Sequence, residues 1–436
     1  MEGIEFLSSR RLMELKEGGL NVLRGIRRSG KTVYLKRLIS RLIDKGTDPS
    51  KILYLSCDRL NKNQIRHIVS EVIIRKGGGY LFLDEVTYLD DWELLLKEVM
   101  ENKGFTVVAT GSNPVGIKHK MERLPGRGIE GSERYFNPLS FNEFVGSLIA
   151  ARSRISRPDL VKALNALEGV EGTFSPEEPD VKSLMPFFEE LERLFFVYLQ
   201  TGGFPSALSD YVEHGEVRSS SYESLIRVIM GTLAKEGKSE ETARAVLERL
   251  LTMGTTRFDY LSLASEIGQH HNTVHDYLEL LEDARLIYVL QPWDIAKGRH
   301  SPRKQKKALF QSPLLAQALY VYLHGGGWQE AQAFLDLNAE WLVESTVASH
   351  VIWTKERPLM MEKHAFSGYY YAGSGSECDL VLSLDRGYFG IETKYGKLER
   401  AKYPFKTIYI TKSELDEDAI PASLFLYGLR KSEWVI

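Results

Sequence analysis

Two groups of residues in this 436-residue chain have types and spacings that suit chemistry on phosphate groups. The first is the run Gly25-Ile26-Arg27-Arg28-Ser29-Gly30-Lys31-Thr32, a complete G-x-x-x-x-G-K-S/T pattern. In this pattern glycines let backbone N–H groups wrap phosphate oxygens, the lysine neutralises charge and the hydroxyl ligates Mg²⁺. An ordinary glycine-rich turn is the competing interpretation, but chance gives the full pattern in only about one or two chains per hundred of this length. The residues expected to contact ATP are therefore Gly25, Arg28, Ser29, Gly30, Lys31, Thr32 and Val33.

A triphosphate on Mg²⁺ also needs an acidic anchor and a residue that polarises water. The pair Asp84-Glu85 ends an apolar run at residues 80–83, and ligands bind at the carboxyl ends of strands in open parallel sheets. We expect Asp84 to hold Mg²⁺ through water and Glu85 to orient or deprotonate the attacking water. A strand that merely ends in exposed acids is the competing interpretation.

Two further residues could act on the γ-phosphate. Ser112 follows the next apolar run, residues 106–110, and would place a polar side chain beside that phosphate. Arg127 is a candidate arginine finger, because a planar cation spreads the charge of the γ-phosphate; a solvated surface arginine is the alternative. The expected catalytic residues of this site are Lys31, Glu85 and Arg127.

The second group consists of acids and one lysine near the end of the chain. Metal-dependent nucleases of the P-D-(D/E)-x-K class hold Mg²⁺ or Mn²⁺ with acids on adjacent strands, and a lysine positions water or stabilises charge. Asp379 opens one apolar run, while Glu392 and Lys394 end the next after a turn at 385–387. Side chains 392 and 394 share one face of a strand, and Glu344 lies on a preceding helical segment.

Three interpretations of this second group stay open. An intact site would use Glu344, Asp379 and Glu392 as ligands of Mg²⁺ or Mn²⁺ and Lys394 as a catalytic residue. A degenerate nuclease fold would only bind, and ordinary exposed charges would do neither. The E-x-K triplet decides nothing by itself, because about one or two are expected by chance in a chain of this length.

The pattern of apolar runs predicts the elements that carry these residues. Runs at 20–23, 51–55, 80–83 and 106–110 alternate with amphipathic segments, which is typical of βαβ units and a mostly parallel sheet. From about 146 to 235 the strand signal disappears, and we expect helices.

The rest of the sequence predicts two more parts. Between 240 and 295 the order helix, turn, helix, strand is that of a winged helix-turn-helix, with residues 273–281 as its second helix. The end of the chain has an α/β pattern, with strands that include 407–410 and 423–427.

A basic run occupies residues 297–307, which would form the wing of that module. Contact with DNA phosphates is one expectation, and a solvated face of a rigid lid is the other. The expected DNA-binding residues are Arg299, Arg303, Lys304, Lys306 and Lys307.

Composition narrows the class of protein. The 56 Lys and Arg against 59 Asp and Glu give a net charge of −3, so the overall charge does not indicate a polyanionic partner. Cys57 and Cys378 are too few for a disulfide framework or a cysteine zinc cluster. No apolar run reaches the ~18 residues of a membrane span. We expect a cytoplasmic protein without a membrane partner.

Several strings, in order along the chain, resemble a family of archaeal and bacterial AAA-type (AAA+) P-loop ATPases. The most specific are Pro138-Leu139-Ser140-Phe141-Asn142-Glu143-Phe144 and Thr201-Gly202-Gly203-Phe204-Pro205. Members of that family carry a winged helix and a C-terminal domain of restriction-endonuclease-like fold. The implied fold class is α/β, and this chain departs from the family in a long insertion around 150–182.

The resemblance implies four parts. A P-loop AAA+ parallel-sheet core would span 1–145, a helical lid 146–238, a winged helix-turn-helix 239–312 and a nuclease-like α/β domain 313–436. The expected activity is Mg²⁺-dependent ATP hydrolysis coupled to DNA binding and metal-dependent DNA cleavage. The alternative is a nucleotide-controlled regulatory switch whose C-terminal domain binds DNA or protein without cleaving. A homo-oligomer is a further expectation, and a ring that moves along DNA would need Arg127 to act on a neighbouring copy.

Overall fold

The computed structural model describes residues 12–89, 91–101, 104–111, 133–355, 366–372, 375–385 and 387–429. They form two compact units: the first unit runs up to Pro138 and the second unit begins at Leu139. Two of the expected site residues, Ser112 and Arg127, lie outside the described residues.

The first unit is built on a five-stranded parallel sheet. Its strands are β1 (Leu20–Arg24), β2 (Ile52–Ser56), β3 (Gly79–Asp84), β4 (Phe105–Gly111) and β5 (Glu133–Tyr135). The order across the sheet is β2-β3-β4-β1-β5, and every neighbouring pair is parallel. Its helices are α1 (Lys31–Asp44), α2 (Lys62–Lys76) and α3 (Trp92–Glu101). The predicted mostly parallel sheet is confirmed.

The sheet of the first unit lies inside its core. Strands β1 and β4 are buried along their whole length, as expected for parallel strands covered on both faces. Leu81, Leu83, Val107 and Trp92 belong to one buried apolar cluster. The central strands therefore form a rigid platform whose carboxyl ends carry the site residues.

The second unit begins with helices, as the sequence predicts. They are α4 (Phe141–Ala151), α5 (Pro158–Ala166), α6 (Phe188–Thr201), α7 (Pro205–His214), α8 (Ser219–Lys235) and α9 (Glu240–Met253). Ser140 and Glu143 form a reciprocal capping box at the start of α4, which satisfies backbone N–H groups that a helix start leaves unpaired.

The two most specific strings of the sequence meet in this helical part. The Leu139 N–H donates to the Gly203 carbonyl at 2.8 Å, and the Tyr198 hydroxyl donates to the Leu139 carbonyl at 2.8 Å. Gly203 has φ +73°, and a Cβ there would lie 2.3 Å from the Leu139 oxygen, so only glycine fits. Both strings therefore hold helices of the second unit together.

Next comes a compact group of helices and short strands. Helices α10 (Tyr260–Glu266) and α11 (His271–Asp283) follow α9. Strands β6 (Arg257–Phe258), β7 (Ile287–Leu290) and β10 (Lys306–Phe310) form an antiparallel sheet in the order β6-β10-β7. Between β7 and β10, strands β8 (Trp293–Asp294) and β9 (Arg299–His300) pair as a hairpin.

The end of the second unit is a mixed sheet flanked by helices. The helices are α12 (Pro313–His324), α13 (Trp328–Leu337), α14 (Ala339–Lys355) and α15 (Ala422–Gly428). The strands are β11 (Ser367–Tyr371), β12 (Glu377–Leu384), β13 (Gly387–Lys394), β14 (Lys406–Thr411) and β15 (Ala419–Pro421), in sequential order. Strands β11 to β13 are antiparallel, and β13 to β15 are parallel.

One predicted strand was wrong. Residues 423–427 lie in α15, which is buried on all sides. A short continuous apolar run has no periodicity that distinguishes a buried helix from a buried strand. Among the described residues, the helices are all too short or too polar to cross a bilayer.

Candidate functional sites

The phosphate-binding loop joins β1 to α1 in the first unit. Gly30 has φ +99° and immediately precedes Lys31, the first residue of α1, so the amino end of the helix faces the loop. A Cβ on Gly25 would lie 2.2 Å from the Phe136 carbonyl oxygen, which restricts that position to glycine. The buried Ser29 hydroxyl donates to the Ile26 carbonyl at 2.7 Å and tightens the turn. Arg28 lies within this turn and is exposed, and Val33 lies in the first turn of α1.

Lys31 is a buried cation turned toward the loop. Its Nζ donates to the carbonyl oxygens of Gly25 at 2.9 Å and Ile26 at 3.0 Å, and lies 3.8 Å from Glu85 Oε1. Burial lowers the pKa of Lys31 below its ordinary value, although the charges of Glu85 and Asp84 partly offset this. An anion held in the loop would stabilise the buried ammonium, which is what a phosphate site requires.

Asp84 is the centre of a hydrogen-bond network at the end of β3. Its Oδ2 accepts from Thr32 Oγ1 at 2.6 Å and from the Tyr54 hydroxyl at 2.9 Å, and its Oδ1 accepts from Thr110 Oγ1 at 2.5 Å. Burial and the Asp84 charge raise the pKa of Tyr54, which keeps its hydroxyl protonated as a donor. The structure thus brings together Thr32 and Asp84, which the sequence places 52 positions apart.

The Thr32 and Asp84 oxygens suit Mg²⁺. A hydroxyl and a carboxylate are hard donors, and Mg²⁺ usually keeps several waters besides one or two protein ligands and phosphate oxygens. In the first unit these two residues would hold the ion, which would neutralise charge on the triphosphate.

Glu85 adopts a strained backbone conformation beside this network. Its φ of +59° lies in the left-handed region, which costs a non-glycine residue about 1–3 kcal/mol. Its N–H donates to Thr110 Oγ1 at 3.0 Å, and this bond fixes the turn. Thr110 therefore positions both acids, a role that the sequence did not indicate because Ser112 was the polar residue expected at this strand end.

The second unit also brings its predicted acids together. Glu344 comes from α14, Asp379 from β12, and Glu392 and Lys394 from β13. The Asp379 N–H donates to Glu392 Oε2 at 3.1 Å, and Lys394 Nζ lies 2.6 Å from Glu392 Oε1. Burial and the Asp379 charge raise the pKa of Glu344 to about 8 and that of Glu392 to about 7, because negative charge is crowded here.

A lysine from the basic run lies inside this acidic cluster. Lys307 Nζ is 2.6 Å from Glu344 Oε1, 2.8 Å from Glu377 Oε1 and 2.9 Å from Asp379 Oδ1. Glu377 was missed by the sequence reasoning, although it lies two residues before Asp379 and so shares its face of β12. We call Lys307, Glu344, Glu377 and Asp379 the charged cluster.

The charged cluster does not fit a divalent cation as it stands. In the part of the chain that the structure describes, no group of three or more His, Cys, Asp or Glu side chains is arranged to hold a metal ion. The space between the Glu344 and Asp379 oxygens is taken by the Lys307 ammonium. Of the expected ligands, Glu344 and Asp379 share Lys307, and Glu392 accepts the Asp379 N–H.

The expected DNA-binding residues divide into two groups. Arg299, Arg303 and Lys304 are exposed on or after the β8–β9 hairpin. Lys306 is buried, and its Nζ donates to the carbonyl oxygens of Pro302 and Lys304. Lys306 and Lys307 lie in β10 and do not present their ammonium groups to solvent, which differs from the expectation of a wholly exposed basic wing.

Two stretches of the chain match models of known protein families. Residues 17–145 match the family model of the AAA domain. This stretch is similar to AAA domains. It contains the loop, the Asp84-Glu85 pair and the sheet that positions them. Residues 192–322 match a domain of unknown function, DUF8612, which runs from α6 to α12.

Two relatives resemble longer stretches of the chain. An uncharacterized protein of Methanocaldococcus jannaschii is 26% identical over 317 residues, covering 69% of this chain and 62% of that protein. One of Haemophilus influenzae is 23% identical over 294 residues, covering 63% of each. The chain thus spans about three fifths of the length of these relatives.

A structural comparison finds similarity to Cdc6p from Pyrobaculum aerophilum, aligned over 74% of this chain and 93% of that protein at 13% identity. The TM-score is 0.27, which is too low to compare the folds as wholes.

Proposed function

We propose that the first unit is an AAA domain that binds ATP with Mg²⁺ and hydrolyses it. The observation that carries this proposal is the bond between Thr32 Oγ1 and Asp84 Oδ2, because it joins the phosphate loop to the acid at the end of β3. The AAA match over residues 17–145 supports nucleotide binding by the same unit. Lys31 and Glu85 lie at the same edge of the sheet, 3.8 Å apart.

Each side chain has a definite task in this proposal. Lys31 exchanges its bonds to the Gly25 and Ile26 carbonyls for bonds to phosphate oxygens. Thr32 and Asp84 hold the Mg²⁺ that neutralises those oxygens. Glu85, held by the Thr110 hydroxyl, orients the attacking water and accepts its proton. Arg127, which lies outside the described residues, would act as an arginine finger on the γ-phosphate.

ATP turnover in two variants tests this proposal. Lys31→Ala should abolish turnover and weaken ATP binding, because it removes the buried ammonium that the loop carbonyls hold. Glu85→Gln should keep ATP binding and lose at least about 100-fold in kcat, in the range of a lost general base. Lys36→Ala, an exposed change on the same helix, is the matched control. Turnover by Lys31→Ala at the wild-type rate would contradict the proposal.

We infer that the second unit is a DNA-binding module. Helices α9 to α11 with the β6-β10-β7 sheet support a winged helix-turn-helix over residues 239–312, between a helical lid (146–238) and an α/β domain (313–436). The exposed cations Arg299, Arg303 and Lys304 would contact phosphates.

Metal-dependent DNA cleavage is a second candidate function. The convergence of Glu344, Asp379, Glu392 and Lys394 supports it, because acids on adjacent strands beside a lysine are the arrangement such nucleases use. The buried Lys307 instead supports the alternative, a nucleotide-controlled switch whose second unit binds without cleaving.

One assay separates these alternatives. The protein is incubated with branched, single-stranded and double-stranded DNA and Mn²⁺ or Mg²⁺, with and without ATP. Cleavage that disappears in both Asp379→Ala and Lys394→Ala, while ATP hydrolysis persists, would support the nuclease. Binding without cleavage under every condition would support the switch. Cleavage that both variants retain would contradict the assignment of the second site.

A further inference from the structure

The ammonium group of Lys307 occupies the place that a cation would take in the charged cluster. The three carboxylate oxygens that face it come from two different elements, α14 and β12, and lie 2.6 to 2.9 Å away. Lys307 itself comes from a third element, β10. The cluster therefore joins the antiparallel sheet β6-β10-β7 to the C-terminal mixed sheet.

The partners of the carboxylates show that this arrangement is built. Thr255 Oγ1 donates to Glu344 Oε2 at 2.5 Å, and Arg257 Nε lies 2.8 Å from Glu377 Oε2. The Thr393 N–H donates to Asp379 Oδ2 at 2.9 Å. Each carboxylate thus turns one oxygen to Lys307 and the other to a second partner.

Burial makes this ammonium hard to displace. The Lys307 side chain is 2% exposed. A divalent ion needs oxygens at about 2.0–2.6 Å, so it cannot share the space with an ammonium on the same oxygens. Its entry would leave a buried lysine unpaired, which is strongly unfavourable.

We propose that Lys307 is the resident counter-ion of Glu344, Glu377 and Asp379 and excludes divalent cations from the charged cluster. Removing this ammonium creates a divalent-cation site made of the same three carboxylates. This role of Lys307 is separate from ATP hydrolysis. It favours a second unit that binds without cleaving, because metal-dependent cleavage would need Glu344 and Asp379 as open ligands.

Mn²⁺ binding to nucleotide-free protein tests this inference. Free Mn²⁺ is measured by electron paramagnetic resonance during titration of wild type, Lys307→Met, Lys307→Arg and the double variant Lys307→Met/Asp379→Asn. Lys307→Met should bind one more Mn²⁺ per chain than wild type, and the double variant should lose it. Lys307→Arg keeps the positive charge and should bind no more than wild type.

Thermal unfolding gives a second readout. Without metal, Lys307→Met should unfold at a lower temperature than wild type, because its carboxylates repel one another. Mn²⁺ should raise that temperature in Lys307→Met and leave it unchanged in wild type and in the double variant. No gain of Mn²⁺ by folded Lys307→Met would overturn the inference.

Wild type alone also tests the inference if Lys307→Met does not fold. Wild type and Asp379→Asn should bind Mn²⁺ equally, because the Asp379 carboxylate is already committed to Lys307. A site in wild type that Asp379→Asn removes would show that metal and Lys307 coexist, and would overturn the inference.

Discussion

At the scale of single residues, the candidate ATP site depends on one hydroxyl that acts on two acids. Thr110 Oγ1 donates to Asp84 Oδ1 and accepts the N–H of Glu85. The bond to Asp84 orients the carboxylate proposed to hold Mg²⁺. The bond from the Glu85 N–H holds the strained backbone of the proposed general base. In the proposed mechanism Thr110 acts through these two acids, so its effect should appear in the rate of the chemical step more than in ATP affinity.

Substitution of Thr110 by Val tests this positioning role. Thr110→Val keeps the shape and removes both bonds, which should lower kcat by about 10- to 100-fold while KM for ATP changes little. It should also cost about 1–3 kcal/mol of stability, because Asp84 is left with an unpaired buried oxygen. Thr110→Ser restores the hydroxyl and should recover most of kcat. Equal losses of kcat in both variants, measured by steady-state kinetics, would show that packing matters and the hydroxyl does not.

At the scale of elements, local signals predicted some features and missed others. The parallel strands and the phosphate loop were predictable, because apolar runs and the glycines at tight approaches are encoded within a few residues. The buried environment of Lys307 was not predictable, because a run of basic residues usually indicates a solvated face. Its partners Glu377 and Asp379 lie 70 and 72 positions away. Only the antiparallel placement of β10 between β6 and β7 turns this side chain inward.

The division of the basic run between surface and interior predicts how DNA binding depends on salt. If Arg299, Arg303 and Lys304 each neutralise one phosphate, the logarithm of the binding constant should fall against the logarithm of salt concentration with a slope of about −3. Each alanine substitution should make this slope less steep by about one. Lys306→Met should leave the slope unchanged, because this ammonium is buried and bonded to carbonyl oxygens. Fluorescence anisotropy on duplex DNA at several salt concentrations measures this, and a slope that responds only to Lys306→Met would refute the assignment.

At the scale of the whole molecule, the near-zero net charge is an average over parts with different roles. The 56 basic and 59 acidic residues almost cancel. Some of that cancellation takes place inside the second unit, where Lys307 and Arg257 pair with buried or half-buried acids. Charge committed to such pairs attracts a polyanion little, so the proposed DNA binding is expected to depend on exposed cations such as Arg299, Arg303 and Lys304. Net charge is therefore a poor guide to the partner of this protein.

The two cysteines offer a probe for each compact unit. Cys57 is buried in the first unit, and its N–H donates to the Asp84 carbonyl at 2.8 Å. Burial and the nearby Asp84 raise the pKa of Cys57 to about 12, so at pH 8 its thiol is protonated and reacts only when the unit opens. Cys378 lies in the second unit and is also buried.

Mg²⁺-ATP should slow the labelling of Cys57, because a ligand that binds only the folded state suppresses opening by mass action. The experiment follows the reaction of a disulfide reagent with Cys378→Ala, in which Cys57 is the single thiol. If Cys57 reacts only in the opened unit, ATP at about 100 times its dissociation constant should slow labelling about 100-fold. In Lys31→Ala the same ATP concentration should have almost no effect. Protection of Cys57 that persists in Lys31→Ala would mean that ATP stabilises the first unit at a place other than the loop before α1.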